Sequence, residues 1–68
     1  MHFGKKLKKY VRRNFASYAE YARLIGVSSQ LLNSYWKTES IRYRTLEKMA
    51  DVAGMNVMQF TAMLDQEE

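Results

Sequence analysis

An all-α fold follows from three features of this 68-residue chain. Proline is absent, so no interior position is barred from a helix. Apolar residues recur at three- and four-residue spacing rather than alternating, which is the period of helices and not of strands. Serine, asparagine and glycine stand between these stretches, where caps and turns need them. The sequence therefore predicts a compact bundle of five short helices. Helices this short are marginal in water, so one shared core must hold them.

Phe3, Leu7 and Val11, with Tyr10 beside them, place helix 1 over Gly4 to Asn14, its Lys and Arg residues outward. Ser17 is a good N-cap, and Glu20 three residues later completes a capping box, so helix 2 runs from Tyr18 to Ile25. Gly26 follows the last apolar position, where a left-handed C-cap is wanted. Val27 is expected to plug the core between helices. Ser28 is a second N-cap, and helix 3 runs from Ser29 to about Trp36 or Lys37. Lys37–Arg42 reads as a polar connection with Thr38 and Ser40 as turn residues. Tyr43, Leu46, Met49, Ala50 and Ala53 repeat helically and give helix 4, ended by Gly54. Asn56 caps helix 5, which carries Val57, Phe60, Met63 and Leu64. Residues 1–64 form a single domain, and the acidic tail 65–68 is expected to fray.

Composition narrows the function. Without cysteine there is no disulfide and no thiolate metal site, and His2 alone cannot build a metal cluster. No metal or cofactor is expected. Glu20 is spent on capping, there is no central histidine or glycine-rich phosphate loop, and a chain this size leaves little room for a pocket. An enzyme is therefore excluded, because catalysis needs converging groups. The uncharged runs Leu24–Trp36 and Val52–Leu64, 13 residues each, fall short of a bilayer span of roughly 20. With no signal peptide visible, the expected location is the cytoplasm. No membrane partner, small-molecule ligand or ligand-sensing domain is expected.

Net charge is +4, but it is unevenly placed. Met1–Ala16 holds Lys5, Lys6, Lys8, Lys9, Arg12 and Arg13 with no acid, a charge of +6. The segment from Thr45 to Glu68 carries −4. A basic end of this strength suits a polyanion such as nucleic acid; the plainer alternative is a solvated helix face that aids solubility.

Ser17 to Trp36 then stands out: a capped helix, a glycine turn, and a second helix that begins at once. This is the layout of a helix-turn-helix, whose second helix lies in the DNA major groove. The small Ala22 suits a close helix crossing. Tyr21, Ala22, Ile25, Val27, Leu32 and Tyr35 face inward, which leaves Ser29, Gln30, Asn33, Ser34 and Lys37 on the other face of helix 3. These have no evident core role and read as base contacts or as a solvated surface.

The residues S-Y-A-E at Ser17, Ala22 four before Gly26, the G-V-S turn, Leu32 and Tyr35, then Leu46, Met49, Ala50 and G-M-N-V before Phe60, carry a resemblance. The chain resembles the Cro/CI-like (lambda repressor-like) helix-turn-helix family of phage repressors, plasmid and antitoxin regulators, over about Leu7 to Leu64. The resemblance implies a sequence-specific transcriptional regulator, a Cro-like repressor, with helix 3 (about Ser29 to Trp36) in the major groove of double-stranded DNA. Carried over by position, Ser28, Ser29, Gln30 and Ser34 contact bases, with Asn33 flanking. Tyr18 falls where the family touches phosphate, and Arg42 and Arg44 where it grips the backbone. Lys5, Lys6, Lys9, Arg12, Arg13 and Lys37 join them as phosphate partners from the charge pattern. Pairing as a homodimer on two half-sites is implied, with Met58, Phe60, Met63 and Leu64 of helix 5 as the interface; a satisfied methionine-rich core is the other reading of that helix. A protein-docking or antitoxin-type module is the alternative function, with DQEE the only residues beyond helix 5.

Three departures stand out. Trp36 occupies a position where an acid is frequent, and either packs over helix 4 or lies at a partner surface. Leu31 replaces a small polar residue and either meets a thymine methyl or extends the core. The loop near Thr38 lacks the usual glycine. Because Leu24 to Trp36 is uncharged, base reading falls to neutral groups, and a half-site core of A·T pairs read by Gln30, with Asn33 as a second reader, is expected.

Overall fold

The computed structural model describes residues 2–67; Met1, the first residue of the expected domain, and Glu68, the last of the expected tail, lie outside the described residues. Five α-helices are present among the described residues: α1 (Phe3–Asn14), α2 (Tyr18–Ile25), α3 (Ser29–Tyr35), α4 (Tyr43–Val52) and α5 (Val57–Asp65). The all-α fold and the helix order agree with the sequence reading. No helix is long and apolar enough to cross a membrane among the described residues.

Local chemistry sets the boundaries. His2 caps α1, its Nδ1 accepting from the Lys5 amide, so the helix starts one residue before expected. Ser17 Oγ accepts from the Glu20 amide at 3.1 Å. The return arm of the expected capping box is displaced: Glu20 Oε2 takes the Ala16 amide instead of that of Ser17. Gly26 closes α2 with φ +76°, the left-handed conformation that costs a Cβ-bearing residue, and its amide bonds back to Ala22 and Arg23. Ser28 starts α3 two residues on. A full capping box, Asn56 with Gln59, starts α5.

The core collects Phe3, Leu7, Tyr10 and Val11 from α1, Tyr21, Ala22 and Ile25 from α2, Leu32 from α3, Met49 and Ala50 from α4, and Phe60 and Leu64 from α5. Helix α1 lies against α5 and α2, α2 against α3 and α4, and α4 against α5. An aromatic cluster fills one end. Tyr10 meets Phe15, Tyr21 and Phe60 edge-on, with ring centroids 5.6 to 6.5 Å apart. Inside it, the Tyr21 hydroxyl is buried without a hydrogen-bond partner among the described residues. Burial above all, and then the neighbouring Tyr10, pushes its pKa upward.

Several expectations need correction. Phe60 and Leu64 are fully buried in their own protomer and cannot also form a dimer surface; of the four expected interface residues Met58 alone is fully exposed, at 81%. Met63 is half-buried against the core. Tyr43, the first residue of the apolar repeat that predicts helix 4, is 64% exposed. The connection before α4 is not wholly polar, because Ile41 packs against the core. The acidic tail does not fray at Glu67. Its carboxylate pairs with Arg13 at 3.0 Å, and its carbonyl accepts from Lys6 Nζ. These contacts exist because helix 1 is basic and α5 brings the chain back alongside it.

Candidate nucleic-acid interface

Helix α3 is the candidate reading element. Leu32 is its one wholly buried residue and Tyr35 packs partly against the core, which leaves the opposite face available. Ser28, Ser29, Gln30, Asn33 and Ser34 are all exposed. Their hydrogen-bonding capacity differs. Ser28 Oγ accepts from the Leu31 amide at 3.0 Å, leaving its hydroxyl proton to give. Ser34 Oγ donates to the Leu31 carbonyl at 2.6 Å and keeps acceptor capacity. Asn33 Oδ1 accepts from Trp36 Nε1 at 3.2 Å. Ser29 and Gln30 make no side-chain hydrogen bond among the described residues. Gln30 is thus the one amide on this face with donor and acceptor both uncommitted.

Trp36 packs at the rim of the core, as one of the two readings had it, but on α2 rather than over α4. Its ring rests on Tyr18 at the start of α2, centroids 5.2 Å apart. Lys8 Nζ lies 6.0 Å from the centre of the same Tyr18 ring. Helix 1, the start of α2 and the end of α3 therefore meet at one edge. Tyr18, expected as a phosphate donor, is half-buried in this stack. Lys8 is absent from the expected phosphate partners. Its spacing with Lys5 and Arg12, at i, i+3 and i+7, puts the three on one flank of α1 and would have found it. Arg12 also lines the cleft beside Phe15, Ser17 and Tyr18.

The other cations of helix 1 sit differently. Arg13 and Lys6 lie on the flank facing the end of α5 and are engaged by Glu67. Both are therefore corrected as phosphate partners on the α3 side: helix 1 serves two neighbours, and this flank faces the wrong one. Lys9 is half-buried between the flanks. Lys37, Arg42 and Arg44 are exposed, and Arg42 lines the groove between α3 and α4.

Between α3 and α4 lies an open groove of about 630 Å³, lined by Val27, Leu31, Tyr35, Ile41, Arg42 and Thr45 among others. Leu31 is 44% exposed at its edge, so it does not extend the core. The glycine-free loop after α3 is fixed by another route. The Gly4 amide donates to the Thr38 carbonyl at 2.9 Å. A side chain on Gly4 would collide with the Tyr35 and Trp36 carbonyls, so the close approach needs glycine.

No family model matches this chain, and comparison with curated proteins and with solved structures returns no significant match either.

Proposed function

We propose that this chain is a sequence-specific double-stranded DNA-binding domain of the helix-turn-helix kind, a small transcriptional repressor acting in the cytoplasm of a bacterial cell. In this reading α3 enters the major groove and Gln30 is its chief base reader. One observation carries the reading: α3 is a neutral, exposed polar helix with exposed cations on both sides. Lys8 and Arg12 stand at the edge where α1 meets Tyr18 and the end of α3, and Arg42 lines the groove on the α4 side. Phosphate contacts from such flanks position a protein, and neutral amides on a central helix read base edges. A module this small binds better as a pair on two half-sites about one helical turn apart. The surface for pairing is the open groove of Tyr43, Val57, Met58, Thr61 and Ala62, rather than Phe60 and Leu64.

The same apolar groove favours a second reading, a module that docks on another protein. Selection from randomised duplexes, followed by gel shift at two salt concentrations, separates the two. A repressor enriches one sequence and loses affinity steeply with salt. A docking module enriches none.

A further inference from the structure

Helix α3 contains a hydrogen bond that settles which way one of its amides faces. Trp36 Nε1 lies 3.2 Å from Asn33 Oδ1. An indole nitrogen only donates, so the atom it meets is the amide oxygen, and Nδ2 is the group left to a ligand. The indole is itself held in place. Its ring packs on Tyr18, and the backbone of Trp36 lies hard against Gly4. Asn33 is exposed on the same helix as Gln30, and its Nδ2 has no partner among the described residues.

We propose that Trp36 is a positioning residue that turns the Asn33 oxygen to the indole and presents its NH₂ group as the reading donor, and that the base facing Asn33 is guanine. The inference rests on the DNA-binding reading above and names the base chemistry at one position of that site. An unrestrained asparagine pairs with adenine by using its oxygen and its nitrogen together. Here the oxygen is turned to the indole. What remains is an NH₂ group, which suits an edge of acceptors. Guanine offers two acceptors there, N7 and O6; thymine offers O4 alone beside its methyl group, adenine sets N7 next to the N6 donor, and cytosine presents the N4 donor. Gln30 carries no such restraint and keeps the adenine preference. The site therefore combines two amides of like chemistry with opposite base choice, and the difference lies in a tryptophan that touches no base.

The test is binding-site selection with the full chain and with Trp36→Phe and Asn33→Ala, each first checked for helical content and melting temperature. Trp36→Phe keeps an aromatic ring on Tyr18 and removes the N–H. Asn33→Ala identifies the Asn33 position as the one whose preference it flattens. The expected result is guanine at that position for the natural chain, shifting toward adenine by roughly fivefold or more in relative affinity for Trp36→Phe, with other positions unchanged. Should Trp36→Phe fail to fold, 7-deazaguanine at that position decides instead: it removes the N7 acceptor and should weaken the natural chain by a similar factor. Adenine at the Asn33 position of the natural chain, an unchanged preference in a folded Trp36→Phe, or indifference to 7-deazaguanine overturns the inference and leaves the DNA-binding reading standing. A natural chain that enriches no sequence overturns the DNA-binding reading, and this inference with it.

Discussion

The Gly4 amide donates to the Thr38 carbonyl across 2.9 Å and so ties the first turn of α1 to the residues leaving α3. The contact spans 34 residues of sequence and fixes the end of the candidate reading helix against the basic helix. Gly4→Ala places a methyl group into backbone carbonyls, which cannot rotate away as a side chain can. The gain in helix propensity, under about 1 kcal/mol, is smaller than the overpacking cost. We expect a net loss of about 1–3 kcal/mol in urea unfolding. An unchanged midpoint would show that α1 and the end of α3 do not need this approach.

Gln30 and Arg44 should separate specificity from grip. Gln30→Ala is expected to cost about 1–3 kcal/mol on the selected site and little on random DNA. Arg44→Ala should weaken both equally and reduce the salt slope of log K by about 0.9. Titrations at several salt concentrations measure both, and equal losses on both DNAs for Gln30→Ala would remove it from the reading face.

The buried Tyr21 hydroxyl makes stability depend on alkaline pH. Its folded pKa lies above the ordinary value of 10.0, from burial first and Tyr10 second. Tyr10 shifts the same way, from burial first and Glu67 second. A raised folded pKa means the unfolded chain loses the proton first. This contribution is therefore fully present below pH 10 and is lost as pH rises beyond it. Tyr21→Phe removes an unpartnered buried polar atom. It should raise stability at pH 7 by about 1 kcal/mol and flatten the alkaline decline. Melting curves from pH 7 to 11 test both; destabilisation by Tyr21→Phe at pH 7 would mean the hydroxyl has a partner.

Glu67→Gln removes the carboxylate that pairs with Arg13, whose side chain is 55% exposed against 15% for Glu67. Such a pair is worth under about 1 kcal/mol, so the melting temperature should fall only slightly. Loss of one negative charge beside the basic helix should meanwhile tighten binding to random DNA slightly at low salt. A gel shift showing no change would place that flank of α1 outside the DNA footprint.

Much of the fold was legible because it is local chemistry. Ser17, Gly26, Ser28 and Asn56 announce helix ends within a few residues of themselves, and α2 and the start of α3 fall where these caps put them. Contacts between distant residues were not legible. Glu67 on Arg13, Gly4 under the end of α3, and the meeting of Lys8 and Trp36 at the Tyr18 ring have no local signature, although the flank that Lys8 occupies on helix 1 does. The candidate site divides likewise. The exposed polar residues of α3 could be named from periodicity, whereas their remaining hydrogen-bonding capacity could not.

By itself the sequence determined the helical period, the caps and the neutral character of α3, because each depends on residues within one or two turns. Tertiary structure decided which cations of helix 1 stand beside α3, which apolar residues of α5 are consumed by the core, and which atom of Asn33 is left to face a ligand. Those outcomes depend on how helices pack. The burial of Phe60 and Leu64 and the meeting of Trp36 with Tyr18 arise only when elements separated in the chain share one small core.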